Sequence, residues 1–230
     1  MIPKVIHYCW FGGKPLPTLA RKCIRSWIKF LPDYEIKEWN EHNFDVNMVP
    51  YTAEAYAAKK FAFVTDYVRL YALYHEGGIY MDTDVEVLKP LDRFLHHPAF
   101  SGFEGGGLVP TGIMASEKGG EWARWQLSLY DGKHFSTEEG TNVTLISNAM
   151  KERGFVMNNQ YQEFEGIFVA YPNDFFCPLV SGGHKLHLTE NTYCIHHFAG
   201  SWLPHHIQWR MKILRMLPEW LSNWIRSLRK

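Results

Sequence analysis

The sequence predicts an α/β fold with a mainly parallel central sheet flanked by helices. Short apolar segments typical of buried strands alternate with longer segments of helical periodicity, and this alternation is characteristic of parallel sheets. The chain has 230 residues, enough for one domain with a well-buried core. Residues 205–230 differ in composition from those before them, so we expect a domain over 1–204 and a C-terminal amphipathic helical tail over 205–230.

The first predicted elements are two strands with a helix between them. A continuous apolar segment predicts a buried strand over 5–11. A turn rich in glycine and proline follows, and Thr18 is expected to cap a helix over 19–31, where apolar residues recur at helical spacing. Alternating apolar and polar residues then predict a half-buried strand over 34–39.

The next predicted elements are two helices that lead into a short strand. An alanine-rich segment predicts a helix over 52–60, and a largely apolar segment predicts a second helix over 61–76. The double glycine at 77–78 should end this helix, because glycine tolerates the backbone conformations that follow a helix. Apolar segments predict strands over 79–81 and 85–88.

The same alternation continues to residue 200. We predict further strands and helices in this order: strands over 99–103 and 108–115, helices over 119–131 and 141–153, and a strand over 192–198. The rest of 155–200 is expected to contain short strands and long loops.

The composition limits the classes of function. Basic and acidic side chains number 24 each, so no overall charge points to nucleic acid as a partner. The four cysteines are far apart in sequence and are expected to be free thiols in a reducing cytoplasm. The first residues lack the pattern of a secretory signal, and no segment approaches the ~18 apolar residues of a membrane-spanning helix. We therefore expect a cytoplasmic protein.

The most informative segment is the acidic triplet Asp82-Thr83-Asp84, directly after the predicted strand over 79–81. On extended backbone, side chains two residues apart point to the same side. Two carboxylates at the carboxyl end of a strand are suited to hold a divalent cation against a diphosphate. Such an ion stabilises the charge that develops when a diphosphate leaves.

A charged pair, Asp66 and Arg69, lies on one face of the preceding helix, because the two residues are three apart. A surface ion pair is one interpretation. The helix is apolar on most of its sides, however, so we expect this pair to face a site.

These residues belong to motifs that resemble glycosyltransferase family 32, the DXD sugar-transferase group. The segments TDYVR at 65–69 and GGIYMDTD at 77–84 carry the resemblance. So do IPKVIHYCWFGG at 2–13, WNEHNFD at 39–45 and IHHFAGSW at 195–202. The resemblance spans positions 2–202. It implies a GT-A fold and transfer with retention of anomeric configuration. We expect a Mn²⁺ or Mg²⁺ ion, a UDP-sugar donor with GDP-mannose as the open alternative, and a glycan or lipid-linked acceptor.

The resemblance also implies roles for individual residues in donor binding. Trp10 would stack on the base of the donor, Asp66 would hold the ribose or the sugar, and Arg69 would hold sugar hydroxyl groups. Tyr80 would approach the diphosphate. Asp82 would contact the ribose and the metal.

Further residues would complete the metal site and hold the leaving group. Asp84 would ligate the metal directly, and His196 would complete its coordination. Ser201 and Trp202 would bind the departing diphosphate. The predicted catalytic residues are Asp82, Asp84, Arg69 and Asn142.

Several of these assignments have open alternatives. Trp10 ends an apolar segment and is also compatible with a core position. Asn142 would either hydrogen-bond the transferred sugar or cap a helix. We prefer His196 to His197 as the metal ligand, because alternate residues of a strand point in opposite directions. His7 is expected to be structural.

Acceptor binding is expected to involve three segments: the glycine loop 105–107, Thr111-Gly112 and the loop 174–187. The tail over 205–230 combines six basic side chains with apolar residues at helical spacing. It is compatible with a helix on an anionic membrane surface or with a helix docked on the domain. We favour contact with the inner face of the cell membrane, in the synthesis of a bacterial surface polysaccharide.

Two other classes of function remain open. A phosphohydrolase of the haloacid dehalogenase type also has a DxD motif after a strand, but that family needs Thr or Val at the position of Glu86. A sugar-binding module without catalysis would explain the many aromatic residues. An intact set of Asp66, Arg69, the DXD carboxylates and His196 favours an enzyme.

Overall fold

The computed structural model describes residues 1–105, 107–138, 140–179 and 186–200, together with positions 207, 209, 210, 213, 214 and 217. Most of the predicted tail, and the predicted site residues Ser201 and Trp202, lie outside the described residues. The division into a domain over 1–204 and a tail therefore stays a prediction.

The described elements alternate between strands and helices as the sequence predicts. The strands are β1 (Val5–Cys9), β2 (Glu35–Trp39), β3 (Gly78–Met81), β4 (Val85–Val87), β5 (Ala99–Gly102), β6 (Ile113–Ser116), β7 (Gln162–Phe164), β8 (Phe168–Tyr171) and β9 (Cys194–His196). The helices are α1 (Thr18–Phe30), α2 (Pro50–Ala57), α3 (Phe61–Glu76), α4 (Glu121–Ser128), α5 (Asn142–Glu152) and α6 (Asn173–Phe176), with a 3₁₀ turn at Asp92–Phe94.

Seven of the described strands form one sheet in the order β2-β1-β3-β6-β5-β8-β7. Strands β1, β2, β3, β5 and β8 run in one direction, and β6 and β7 run in the other. The predicted α/β fold with a mainly parallel sheet is thus confirmed, although the sheet is mixed. The carboxyl ends of the five parallel strands lie at one edge, where α/β folds place their ligands.

Alternate residues of the strands enter two separate apolar clusters. Tyr80 of β3 packs with residues of α3, α4 and α5, whereas its neighbours Ile79 and Met81 pack with residues of α1 and α6. The two-residue period of a strand explains this division between the two faces of the sheet. The core therefore has two layers, and the sheet lies between them.

The double glycine between α3 and β3 makes a sharp reversal. Gly77 and Gly78 have φ angles of +72° and +115°. A Cβ atom would lie 2.6 Å from the Lys118 backbone nitrogen at position 77, and 2.6 Å from the Val5 carbonyl oxygen at position 78. Only glycine fits both the conformation and the space, so β3 begins at once beside β1.

Two details differ from the sequence-based expectation. Thr18 does not cap α1; it is the first helical residue, and Pro17 holds the cap position without a side-chain hydrogen bond. The strand expected over 108–115 begins only at Ile113. Pro110, which lacks a backbone N–H, is poorly suited to a central strand.

A second, two-stranded sheet joins distant parts of the chain. Strand β4 pairs antiparallel with β9, and Val85 lies opposite His196. Trp27 of α1 is fully buried beneath this pair and donates from Nε1 to the Val85 carbonyl oxygen at 2.7 Å. This pairing places His196 opposite Val85, the residue that directly follows Asp84.

His7 is structural, as the sequence analysis expects. Its Nε2 lies 2.7 Å from the Gly77 carbonyl oxygen, and its Nδ1 accepts from Trp39 Nε1 at 3.0 Å. These contacts require the neutral ring with its proton on Nε2. Burial lowers the pKa of His7 below the ordinary value of 6.5, although the Gly77 carbonyl partly opposes this.

We expect the free energy of unfolding to fall as the pH drops below about 6.5, partly through His7. The unfolded chain binds a proton at this pH more readily than the folded chain, because the folded ring has the lower pKa. A His7→Gln variant should reduce the pH dependence of stability by up to about 1.4 kcal/mol per pH unit. Denaturant unfolding at pH 7.5 and 5.5 measures it, with His42→Gln as the exposed control. An identical slope in wild type and His7→Gln would refute this account.

Candidate active site

The acidic triplet forms a turn at the carboxyl end of β3. The Val85 N–H donates to the Asp82 carbonyl oxygen at 2.9 Å, and the Asp82 N–H donates to the Gly112 carbonyl oxygen at 2.7 Å. The expectation of an extended backbone at this triplet is therefore wrong. The two carboxylates converge because the chain turns between them, and not because residues two apart on a strand point to the same side.

Asp82, Asp84 and His196 bring their side chains together at this turn. One potential ligand atom from each lies within 4.8 Å of the other two. His196 Nε2 is 3.4 Å from Asp84 Oδ1 and 4.0 Å from Asp82 Oδ2. Two carboxylate oxygens and an imidazole nitrogen suit a divalent ion such as Mn²⁺, which accepts oxygen and nitrogen donors. The residues present thus fit the predicted metal.

The electrostatics of this cluster favour a cation. Burial alone would raise the pKa of Asp84, but His196 and the Ala199 N–H hold the pKa near 2. The Ala199 N–H donates to Asp84 Oδ2 at 2.7 Å. Burial acts to lower the pKa of His196, and the Asp84 carboxylate reverses that effect and raises the pKa well above 6.5.

His197 points away from this cluster. Its Nε2 lies 2.9 Å from Glu86 Oε2, which also accepts from Lys22 at 2.8 Å. The ring of His196, in contrast, is buried and stacks on Phe198 with the ring centroids 4.0 Å apart. The opposite directions of the two histidines follow from their successive positions at the end of β9.

Gly112 makes room for the His196 ring. A Cβ atom at position 112 would lie 2.6 Å from His196 Cε1 and 2.8 Å from Nδ1. Such distances are shorter than real contacts, and Phe198 stacks on the same ring and limits its freedom to move. The acceptor role predicted for Gly112 does not include this contact, because the contact joins residues 84 positions apart.

A Gly112→Ala variant is expected to weaken Mn²⁺ binding at least tenfold, because the added methyl group displaces His196 from the carboxylates. Calorimetric titration with Mn²⁺ in the presence of UDP measures the change. Gly132→Ala is the control, since position 132 has a φ of +66° with open space around it and so loses stability without touching the site. Equal Mn²⁺ affinity in Gly112→Ala and wild type would contradict the prediction.

Arg69 joins one carboxylate of the cluster, that of Asp82, to the carboxylate of Asp66. Its Nη2 is 3.0 Å from Asp66 Oδ1, and its Nη1 is 3.6 Å from Asp82 Oδ1. The same guanidinium donates to the Thr111 carbonyl oxygen at 2.6 Å and to the Thr65 carbonyl and hydroxyl oxygens at 3.1 Å each. The side chain is 5 % exposed. With its donors directed at protein groups, Arg69 positions the carboxylates; its predicted contact with sugar hydroxyls stays a prediction.

Tyr80 supports Asp82 from the core. Its hydroxyl donates to Asp82 Oδ1 at 2.8 Å, and the Arg69 guanidinium lies 4.7 Å from its ring centroid. Tyr80 is only 1 % exposed. Its observed contact is therefore with the metal-site carboxylate, and its approach to the diphosphate stays a prediction.

Asp66 pairs with Arg69, and Asn142 lies next to Asp66. Burial raises the pKa of Asp66 to about 7, while Arg69 and Asn142 act to lower it. Asn142 is buried as the first residue of α5, and its Oδ1 accepts from the Tyr130 hydroxyl at 3.0 Å. The helix cap is Thr141, which accepts from the Thr144 N–H. The capping alternative for Asn142 is therefore wrong, and its sugar contact stays a prediction.

Trp10 follows β1 and lines an open groove of about 400 Å³. The other lining residues are Gly13, Lys14, Leu16, Glu38, Asn40, Glu41 and His42. Trp10 is half-buried, so it is neither a fully enclosed core residue nor a free surface ring. The groove lies at the carboxyl ends of β1 and β2, at the same edge of the sheet as the acidic turn after β3. This arrangement is compatible with the predicted stacking on a base, which stays a prediction.

One protein family and several curated proteins resemble this chain in sequence. Residues 17–101 match the family described as a glycosyltransferase sugar-binding region containing a DXD motif. Inositol phosphoceramide mannosyltransferase 3 of Schizosaccharomyces pombe is 31% identical over 122 residues, which cover 51% of this chain and 34% of that protein. The initiation-specific alpha-1,6-mannosyltransferase of Candida albicans is 30% identical over 135 residues, which cover 54% of this chain and 35% of that protein. The match thus spans about a third of the length of these relatives.

Solved structures support the fold. A glycosyltransferase involved in glycosylation of the major capsid of PBCV-1 has a TM-score of 0.52 at 13% identity, covering 91% of this chain and 100% of that chain. The PaToxG glycosyltransferase has a TM-score of 0.51 at 18% identity, and the match covers 66% of this chain and 69% of that chain. These likenesses confirm the GT-A type of fold. The matched segment carries Asp66, Arg69, Asp82 and Asp84, and over this segment the chain resembles the DXD-containing glycosyltransferase family.

Proposed function

We propose that this chain is a metal-dependent glycosyltransferase that moves a hexose from a nucleotide-sugar donor to a glycan or a lipid-linked acceptor. The observation that carries the proposal is the convergence of Asp82, Asp84 and His196 at the carboxyl edge of the sheet. The groove beside Trp10 lies at the same edge of the sheet as this cluster and has room for a nucleoside. A module that binds sugar through hydrogen bonds and aromatic rings alone would not need three converging metal ligands.

The chain's own residues would position the donor and the metal. Asp82, Asp84 and His196 would hold Mn²⁺ or Mg²⁺, which stabilises the charge of a departing diphosphate when it is bound. Arg69 and Tyr80 keep Asp82 in place through the contacts described above. We infer a retaining reaction in which the acceptor attacks on the face that the diphosphate leaves. Such a mechanism depends on positioning and charge more than on side-chain proton transfer.

For the donor, we propose a UDP-sugar. A mannosyl donor such as GDP-mannose is the second candidate, because the curated relatives are named as mannosyltransferases. The fold does not distinguish these donors. The choice depends on a few contacts in the groove beside Trp10 and in the sugar pocket.

For the acceptor, we propose a lipid-linked glycan used in bacterial surface polysaccharide synthesis at the inner face of the membrane. A lipid acceptor agrees with the names of relatives that act on inositol phosphoceramide. Among the described residues, no helix has both the length and the apolar character needed to span a membrane. We infer that contact with the bilayer would come from 205–230.

Deleting 205–230 is expected to lower the binding of the protein to vesicles that contain anionic lipid. The basic and apolar residues of this segment would supply both electrostatic attraction and apolar insertion. Flotation of full-length and shortened protein with anionic and neutral vesicles measures the effect. Equal flotation of both proteins on anionic vesicles would eliminate the membrane proposal.

The proposed activity is tested by donor hydrolysis and nucleotide binding. UDP-glucose, UDP-galactose, UDP-N-acetylglucosamine and GDP-mannose are incubated with the protein and Mn²⁺, with and without chelator. Nucleotide release from one donor, lost with chelator, would support the function and identify the sugar. No release from any donor, together with no Mn²⁺-dependent nucleotide binding in calorimetry, would favour the binding module instead.

A further inference from the structure

A further carboxylate, Glu104, faces the candidate site from the other side of the acidic turn. Strands β3 and β5 run in the same direction with β6 between them, so the residues that follow them lie at the same edge of the sheet. Asp82 follows β3, and Glu104 lies two residues beyond the end of β5. The backbone at Glu104 is held by two hydrogen bonds, from its N–H to the Leu108 carbonyl at 2.8 Å and from the Gly107 N–H to its carbonyl at 3.0 Å.

The charge of Glu104 acts on the metal cluster. Burial raises the pKa of this carboxyl, and the largest contributions from charged groups come from His196, which lowers the pKa, and Asp82, which raises it. Those two residues are predicted metal ligands. The residue is half-buried, so part of its surface remains accessible.

Within the part of the chain that the structure describes, the Glu104 carboxylate has no hydrogen-bond or ion-pair partner. The other carboxylates around the site each have at least one. Asp66 pairs with Arg69, Asp82 accepts from Tyr80, Asp84 accepts from the Ala199 N–H, and Glu86 pairs with Lys22. A half-buried carboxylate without a partner retains its full capacity to accept hydrogen bonds.

The charges of the donor limit what Glu104 can bind. A diphosphate is an anion and would be repelled by the carboxylate, whereas neutral sugar hydroxyl groups donate to it. The order of strands places the groove beside Trp10 at the β1 and β2 end of the site. Strand β5 lies three strands beyond β1, which corresponds to about 14 Å. Glu104 therefore lies beyond the metal, on the side away from the proposed base site.

We propose that the Glu104 carboxylate accepts hydrogen bonds from hydroxyl groups of a hexopyranoside acceptor and holds it against the donor sugar. This inference rests on the proposed transferase function and names a residue for its second substrate. Charge-assisted hydrogen bonds of this kind are stronger than neutral ones. Glu104 would thus contribute to the choice between a sugar and water as the acceptor.

The test compares Glu104→Gln and Glu104→Ala with wild type. Methyl glucopyranoside, galactopyranoside and mannopyranoside, as both anomers, are titrated into protein loaded with Mn²⁺ and UDP, and binding is followed by saturation-transfer-difference NMR. Glu104→Gln is expected to weaken binding of the preferred glycoside about fivefold, and Glu104→Ala more strongly. With intact donor, the ratio of glycoside product to free sugar should fall by a similar factor.

Glu117→Gln is the matched control. Glu117 follows β6, which runs antiparallel to β3 and β5, so it lies at the opposite edge of the sheet, where it pairs with the chain's N-terminus at 3.2 Å. This variant should keep both the glycoside affinity and the product ratio of wild type.

Three results would overturn the inference. The first is unchanged glycoside affinity and product ratio in both Glu104 variants. The second is loss of Mn²⁺ binding in Glu104→Gln, which would assign the carboxylate to the metal. The third is absence of hexoside binding to wild type, which would exclude the proposed substrate class. If wild type also releases no nucleotide and binds none with Mn²⁺, the transferase function itself fails; if it does release nucleotide, only the role of Glu104 fails.

Discussion

An Asp84→Asn variant is expected to release nucleotide from the donor at least about a hundredfold more slowly than wild type. The amide keeps the size of the carboxylate, and its oxygen can still accept from the Ala199 N–H. It loses the negative charge that Asp84 contributes to the cluster with Asp82 and His196. Initial rates with Mn²⁺ and the preferred donor measure the loss, and calorimetry should show weaker Mn²⁺ binding.

The control for this variant is Asp92→Asn. Asp92 has a side chain that is 47% exposed and pairs with Lys4 far from the site. Its replacement removes the same charge from the protein and should leave the rate at the wild-type level. A wild-type rate in Asp84→Asn, with Mn²⁺ still required, would show that another group holds the metal.

An Arg69→Met variant is expected to lose about 3 kcal/mol of unfolding free energy, because it leaves the partly buried carboxylates of Asp66 and Asp82 without their cation. For a chain of this size, the midpoint of thermal unfolding should fall by about 10 °C. Donor hydrolysis should also fall strongly, since Asp82 loses a group that positions it. Thermal unfolding followed by circular dichroism measures the stability.

A double variant separates the lost charge pair from lost packing. If the unpaired Asp66 carboxylate causes the instability, then adding Asp66→Asn to Arg69→Met should restore part of the stability. Arg124→Met, at an exposed position on α4, is the control and should change stability little. Additive losses in the double variant would indicate that packing, and not the buried charge, is responsible.

Local patterns predicted the elements around the acidic turn well. Helix α3 covers Phe61–Glu76 as expected, because its apolar residues and the glycines that end it all lie within one short segment. The strand expected over 108–115 was predicted less well, since its true start at Ile113 depends on pairing with β3 and β5. Element types follow from local spacing, whereas element ends follow from neighbours that are distant in sequence.

The sequence by itself determined which chemical groups are available: the DXD carboxylates, the Asp66 and Arg69 pair, and a histidine near residue 196. Only the tertiary structure decided how they meet. The turn at Asp82 directs the two carboxylates toward each other. The pairing of β4 with β9 places His196 beside them, and Gly112 leaves space for the His196 ring. The bond from Ala199 to Asp84 joins residues 115 positions apart. No local pattern encodes such contacts, because they arise only when the sheet has formed and distant strand ends share one edge.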